Sequence, residues 1–109
     1  MSEIKKITDA IIKFRDERDW EQFHNSKDLA LAISIEASEL LELFLWKGNE
    51  EADPEKLKEE LADVLTFCFL LAEKHGLDIQ EIIELKISQN ADKYPVEKSK
   101  GPAKKYSEL

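Results

Sequence analysis

Apolar residues recur at helical spacing in four segments of the chain, which predicts four α-helices. In the first segment they lie three or four positions apart, at Ile4, Ile7, Ile11 and Phe14. The second predicted helix runs from about residue 27 to Trp46, with Asn25 or Ser26 as its N-cap. Gly48 is the candidate for a left-handed residue that ends this helix.

The last two predicted helices have clear start and stop signals. Asp53 followed by Pro54 is typical of a helix N-terminus, and this third helix continues until Gly76. Asp78 is the predicted N-cap of the fourth helix. That helix ends before Pro95, because proline disfavours helical geometry in the residue that precedes it.

These elements predict an all-α fold, with a four-helix, antiparallel bundle-like protomer and short connections. The helical domain covers residues 1–95, and a basic tail, residues 96–109, either folds over an anionic ligand or is a solubilising end. The segment from Val64 to Ala72 is apolar on all sides, so its helix is predicted to be buried on every side. A protomer of this size encloses such a helix with difficulty, which favours a homo-oligomer over a monomer.

Charge and cysteine content narrow the class of function. The formal net charge of −8 opposes non-specific binding to nucleic acid or to an anionic membrane. The single cysteine, Cys68, cannot form an internal disulfide, which is typical of a reducing compartment. The N-terminus shows no secretory signal pattern and no apolar run is long enough to span a membrane, so we expect a cytoplasmic protein.

Two pairs of acids lie on the apolar faces of the second and third predicted helices. Glu36 and Glu39 are three residues apart, and Glu60 and Asp63 have the same spacing. Side chains at this spacing share a helix face, so each pair can reach a single point. A carboxylate on a core face is costly unless it is paired or bound to a metal, and neither stripe contains Lys or Arg. The four acids therefore predict a Mg²⁺ site, with buried ion pairs as the alternative.

A site of this kind points to phosphate chemistry. Four carboxylates carry more negative charge than one Mg²⁺ neutralises, which favours a further cation and a polyphosphate substrate. A metal-activated water would then attack phosphorus. A di-iron or di-manganese centre would need Glu-x-x-His motifs, which neither His24 nor His75 completes. The chain also lacks a nucleophile elbow and a glycine-rich phosphate loop.

Aromatic residues are candidates for binding a nucleotide base. Trp20 precedes the second helix and Trp46 lies at its end, and an indole face can stack on a base. Phe23, His24 and Phe67 are candidates to line the same pocket. Each also has a structural interpretation, because Trp46 can pack in the core and Trp20 can hold a loop against the bundle.

These motifs resemble those of the MazG-like, all-α nucleoside triphosphate pyrophosphohydrolases, and within them the dCTP pyrophosphatase branch. The resemblance rests on RDWEQFH (Arg18–His24), EASELLELFLWK (Glu36–Lys47), EELADVL (Glu59–Leu65) and the tail from Asn90 to Leu109. It implies Mg²⁺-dependent hydrolysis of a (deoxy)nucleoside triphosphate, such as dCTP or a modified pyrimidine nucleotide, to the monophosphate and pyrophosphate. It also implies assembly as a dimer or tetramer.

The resemblance implies roles for individual residues as well. The implied catalytic metal ligands are Glu36, Glu39, Glu60 and Asp63. The implied base and sugar contacts are Trp20, His24, Trp46 and Phe67, and the implied phosphate contacts are Asn90, Lys93 and Tyr94, with Lys104 and Lys105 as helpers. Some relatives have a glutamate where Ile35 stands here, which leaves open which carboxylate orients the attacking water.

Two other functions remain open at this point. The chain could be a helical dimer whose acids pair with lysines of a protein partner, and it would then bind that partner without Mg²⁺. It could also be a nucleotide sensor that keeps the pocket but releases no product.

Overall fold

The computed structural model describes residues 2–48 and 51–101. Within these ranges the elements are α1 (Glu3–Asp16), a 3-10 turn (Trp20–Phe23), α2 (Ser26–Glu42), α3 (Pro54–Lys74), α4 (Ile79–Lys93) and α5 (Val96–Ser99). No strand occurs in the same ranges, so the prediction of an all-α fold is confirmed. None of the described helices is both long and apolar enough to cross a membrane.

Side-chain caps determine where the longer helices begin. The capping oxygens of Ser2, Asn25, Asp53 and Asp78 accept hydrogen bonds from the backbone N–H groups of Lys5, Asp28, Glu55 and Glu81, at 2.8–3.1 Å. Each bond satisfies a donor that has no partner within the helix. Of the two candidate caps for α2, Asn25 is the one observed, and Pro54 lies in the first turn of α3 as predicted.

The end of α2 differs from the prediction. The helix ends at Glu42 instead of about residue 46, because the N–H groups of residues 43–45 bond to carbonyls only three residues back. This tighter winding brings the left-handed residue forward to Trp46, whose φ is 64°. The prediction of a left-handed Gly48 is therefore wrong. Its N–H donates instead to Glu51 Oε2 at 2.9 Å.

The chain divides into two compact units, residues 1–76 and residues 77–109. In the first unit α2 packs along α3, and α1 packs on α3. The α2–α3 pair is antiparallel, since Ser26 Oγ at the start of α2 lies 2.9 Å from His75 Nε2 after the end of α3. The second unit contains α4 and α5, and α5 lies at the start of the segment predicted to be a basic tail. The four-helix bundle and a domain over residues 1–95 stay predictions.

The buried core of the described residues is small. It consists of Leu29, Leu70 and Ala72, together with the charged residue Arg15. In the single chain α3 is not buried on every side, because Leu61 and Leu65 are 46% and 50% exposed. Burial of this face was predicted to need a second copy of the chain, and the homo-oligomer stays a prediction.

Candidate active site

The antiparallel pairing of α2 with α3 brings acidic side chains from the two helices together. One carboxylate oxygen from each of Glu36, Glu60 and Asp63 lies within 4.8 Å of the other two. Oxygens this close can converge on one cation with small side-chain rotations. The spacing within each helix predicts that the four acids meet. The structure brings three of them, Glu36, Glu60 and Asp63, to one point.

Glu39, the fourth predicted ligand, lies beside this group. Its carboxylate is near enough to raise the pKa of Glu36, through a hydrogen bond and through its charge, and it also raises the pKa of Glu60. All four predicted acids therefore act on one another electrostatically.

The protonation of the cluster reflects burial and repulsion. Removal from water and, after it, the neighbouring carboxylates together raise the pKa of Glu36 to about 7. Removal from water also raises the pKa of Glu60, followed by the charge of Glu39. Within residues 2–48 and 51–76, none of the four acids forms a salt bridge with Lys or Arg. The buried ion pairs considered as an alternative are therefore not present there.

Two oxygens of the cluster show that the donor set suits a cation. Glu36 Oε2 and Glu60 Oε2 are buried and have no hydrogen-bond partner. A buried polar atom without a partner costs free energy, which a bound cation would recover. Carboxylate oxygens are also the ligands that Mg²⁺ prefers. The residues present thus fit a Mg²⁺ ion.

A cavity of about 250 Å³ lies beside the carboxylates. Its lining is mostly apolar and consists of Ile11, Phe14, Arg15, Trp20, His24, Asp63, Thr66, Phe67 and Leu70. Asp63 belongs both to this wall and to the carboxylate cluster. The cavity therefore joins three of the predicted base-binding residues, Trp20, His24 and Phe67, to the predicted metal site.

Trp20 is supported by neighbours and still accessible. Its ring meets the ring of Phe14 edge to face, with centroids 5.8 Å apart. The guanidinium of Arg18 lies 3.7 Å from the Phe14 ring centroid on the same assembly. Trp20 is 45% exposed, so part of the indole is available for stacking. Trp20 thus holds its loop against α1 through Phe14 and also forms part of the cavity wall.

His24 is a neutral polar group in this wall. Burial lowers its pKa, and the positive charge of Arg15 lowers it further. Its Nδ1 is buried and has no hydrogen-bond partner. A neutral imidazole offers one donor and one acceptor, so His24 is equipped to bond the edge of a base.

Other predicted contacts are not part of this cavity. Trp46 is fully exposed and does not line it, and Phe23 is 64% exposed. The residues assigned to phosphate lie at the end of α4 in the second unit: Asn90, Lys93 and Tyr94. Their roles stay predictions. Lys104 and Lys105 lie outside the described residues.

Sequence reasoning missed Arg15 and Thr66, which also line the cavity. Arg15 is 6% exposed and pairs with acids on two other elements, Glu21 and Glu73. A signal was available, because Arg15 follows Ile11 by four residues and so shares the apolar face of α1. Thr66 follows Asp63 by three residues and so shares its helix face, and its hydroxyl donates to the carbonyl of Ala62 within α3.

Known proteins with similar sequences are pyrophosphatases by name. Proteins called dCTP pyrophosphatase 1 from Bos taurus and Mus musculus are each 41% identical to the chain over 105 residues. The Homo sapiens protein of the same name is 38% identical over 105 residues. Each match covers 89% of this chain and 62% of the relative, so the chain spans about 62% of the length of these relatives.

A solved structure and a family model agree with these matches. The crystal structure of a pyrophosphatase from Archaeoglobus fulgidus has a TM-score of 0.81 and 33% sequence identity to this chain. The match covers 87% of this chain and 94% of the other. The model of the MazG-like family matches residues 31–109, which include all four acids of the cluster. The predicted resemblance is confirmed: the chain belongs to the MazG-like family.

Proposed function

We propose that the protein is a Mg²⁺-dependent nucleoside triphosphate pyrophosphohydrolase that releases a nucleoside monophosphate and pyrophosphate. The observation that carries the proposal is the position of Asp63, which is shared by the carboxylate cluster and the cavity wall. A nucleotide with its base in the cavity would have its phosphates close to the acids. The names of the relatives support dCTP as a substrate, and modified pyrimidine deoxynucleotides belong to the same proposal.

On the metal side, Glu36, Glu60 and Asp63 would hold Mg²⁺, with Glu39 as the fourth acid. The bound ion would neutralise phosphate charge and lower the pKa of a water molecule, which makes that water a nucleophile at neutral pH. Burial and the neighbouring carboxylates raise the pKa of Glu36 to about 7, so its ionised form, which can bind a cation, is available in the neutral range. The unpartnered oxygens of Glu36 and Glu60 would each gain a partner.

On the base side, the cavity is smaller than a pocket for a whole nucleotide. Its volume of about 250 Å³ lies below the roughly 300–1,000 Å³ of pockets that enclose complete small-molecule ligands. It therefore suits one part of a ligand, and its apolar lining suits a ring. Trp20 would stack on the base, Phe67 would pack against the base or sugar, and His24 would bond the base edge.

The remaining predictions belong to the same proposal. They are the phosphate contacts of Asn90, Lys93 and Tyr94, assembly as a homodimer or homotetramer, and a cytoplasmic location. The tail motif supports the first, and the exposed apolar face of α3 supports the second.

A product assay tests the proposal. Canonical and modified triphosphates are incubated with Mg²⁺ or with a chelator, and pyrophosphate is separated from orthophosphate. We expect monophosphate and pyrophosphate only with Mg²⁺, and fastest with a pyrimidine deoxynucleotide. Orthophosphate would mean cleavage at the terminal phosphate and would contradict the proposal. Protection of the protein against heat by nucleotide without any product would favour the nucleotide sensor. Partner binding that is independent of Mg²⁺ would favour the protein-binding module.

A further inference from the structure

Arg15 joins three elements at the side of the cavity. Its Nε and Nη2 lie 2.9 and 2.8 Å from Asp16 Oδ1 on α1, and Nη1 donates to Glu73 Oε2 on α3 at 3.1 Å. Nη2 also lies 3.6 Å, an ion-pair distance, from Glu21 Oε2 in the 3-10 turn. The Arg15 side chain is 7% exposed, whereas the side chains of Glu73 and Glu21 are 36% and 70% exposed, so water screens the pair with Glu21 more than the pair with Glu73.

The 3-10 turn has little support of its own. Asp19, which precedes it, has a φ of 54° and makes no side-chain cap. A non-glycine residue in the left-handed region persists only where its surroundings hold it. Gln22 Nε2 donates to the carbonyl of Asp19 at 2.9 Å, but this bond lies within the turn. The contact between Arg15 and Glu21 is the ion pair that ties the described turn to the helices.

The same turn carries the wall of the cavity. Trp20 begins it, and His24 follows it and donates its backbone N–H to the carbonyl of Glu21 at 3.0 Å. A second cavity of about 160 Å³ is lined by Arg15, Glu21, His24 and Glu73 among others. Arg15 and His24 thus lie between two spaces, and the charges of Arg15 hold this side of the wall, whereas the Trp20 ring packs against Phe14.

We propose that Arg15 is a positioning residue, which holds the Trp20–His24 segment against α3 through Glu21 on one side and Glu73 on the other. The inference rests on the proposed function, since it assigns this wall to the nucleobase. The carboxylates of the metal site are placed by the α2–α3 pair instead. Loss of Arg15 should therefore weaken substrate binding more than it slows the chemical step.

Two variants with matched controls test this role. Arg15→Met removes the charge and keeps the length of the side chain, and Glu21→Ala removes only the arm to the 3-10 turn. If either variant leaves the Trp20–His24 segment ordered for about a tenth of the time, we expect KM for the best triphosphate to rise about tenfold. We expect kcat to stay within about twofold of the wild-type value. Amide hydrogen exchange of residues 20–24 should become faster in both variants. The controls are Lys13→Met and Glu17→Ala, which alter exposed residues near the end of α1 and should leave KM and exchange unchanged.

Exchanging the charges of Arg15 and Glu73 distinguishes positioning of the Trp20–His24 segment from a purely structural link between α1 and α3. The double variant Arg15→Glu with Glu73→Arg restores opposite charges between α1 and α3 but leaves Asp16 and Glu21 facing a like charge. We expect the melting temperature to recover relative to Arg15→Glu alone, while KM and the exchange of residues 20–24 do not recover. Recovery of KM together with stability would overturn the positioning role.

The failure of this inference differs from the failure of the proposed function. If the wild-type protein hydrolyses triphosphates and Glu21→Ala changes neither KM nor amide exchange, the inference is overturned and the proposed function stands. If the wild-type protein hydrolyses none, the proposed function is overturned. Amide exchange of residues 20–24 in Glu21→Ala then decides the positioning role, because it needs no substrate.

Discussion

Neighbouring glutamates on α3 show how burial distinguishes a candidate ligand from an ordinary surface acid. Glu59 is exposed, whereas Glu60 is half-buried and has a buried oxygen without a partner. Their side chains are chemically identical, so the difference comes from the helix face on which each lies. The spacing of apolar residues in the sequence is sufficient to predict this difference. It is not sufficient to predict the involvement of Arg15, whose partners are up to 58 residues away.

Glu60→Gln should reduce turnover by at least about 10–100-fold and weaken Mg²⁺ binding, since it removes a charged ligand of the proposed site. In the presence of chelator it should raise the melting temperature, because it relieves repulsion within the cluster. Steady-state kinetics with a Mg²⁺ titration and thermal melting measure the two effects. Glu59→Gln is the matched control and should change neither. Wild-type turnover of Glu60→Gln at saturating Mg²⁺ would show that this residue is not a ligand.

The pKa of Glu36 predicts a pH dependence of stability without metal. Its pKa is about 7 in the folded protein and about 4.5 in the absence of perturbation. Between these values the folded state keeps a proton that the unfolded state has lost, so the free energy of unfolding falls as pH rises through this window. Mg²⁺ competes for the same carboxylate, and its stabilising effect should grow over the window.

Chemical denaturation with chelator at several pH values measures this dependence. Glu36→Gln is the variant for comparison, because it removes the titrating group. It should therefore reduce the change of the free energy of unfolding with pH. An equal slope in both proteins would contradict the prediction. Other acids contribute to both curves, so the difference between the two proteins is the quantity to compare.

At the scale of helices, the capped starts and the ends of α3 and α4 were predicted from the sequence, whereas the end of α2 was not. A start is set by one capping residue and its nearby N–H groups, as at Asp53 and Asp78, and this information is local. The end of α2 depends on the tighter bonding of residues 43–45, for which the sequence has no signal of comparable strength. The 3-10 turn also lacked a signal, because no apolar periodicity runs through Trp20–Phe23.

Gly76 and Gly48 offer a paired test of helix termination. Gly76, after α3, has a φ of 64°, a conformation in which an L side chain is strained, and Gly76→Ala should lower the free energy of unfolding by about 1–2 kcal/mol. Gly48 does not have a positive φ, and a Cβ there would meet the flexible end of Glu51 at 3.0 Å. Gly48→Ala should therefore cost less. Urea denaturation compares the two variants, and an equal or larger loss for Gly48→Ala would contradict this account.

For the molecule as a whole, the sequence predicted the class of fold and the meeting of the acids. Both follow from helical periodicity and from the antiparallel pairing of consecutive helices. The cavity could not be predicted in the same way, since its lining comes from α1, α3 and the 3-10 turn region together. Large apolar side chains such as Leu41, Leu61 and Leu65 are exposed in the single chain, which agrees with the proposed oligomer.

A charged residue on the exposed apolar face of α3 tests the proposed assembly as a homo-oligomer. Leu65→Glu should shift a dimer or tetramer towards monomer, because a carboxylate at a buried interface is desolvated without a partner. Sedimentation velocity over a range of protein concentrations measures the distribution of species. Lys56→Glu changes an exposed polar residue of α3 and is the control. A wild-type protein that is monomeric at all concentrations would contradict the prediction.

The shared position of Asp63 has an energetic consequence. When one side chain belongs to two binding regions and filling one region repositions it, the free energy of filling the other region changes. Such coupling is reciprocal: if a bound nucleoside raises the affinity for the cation by some factor, the bound cation raises the affinity for the nucleoside by the same factor. Discrimination between bases would then extend beyond the cavity, because a poorly seated base would also hold its cation less tightly. Through this one carboxylate, selectivity for the base and affinity for the cation would be thermodynamically linked.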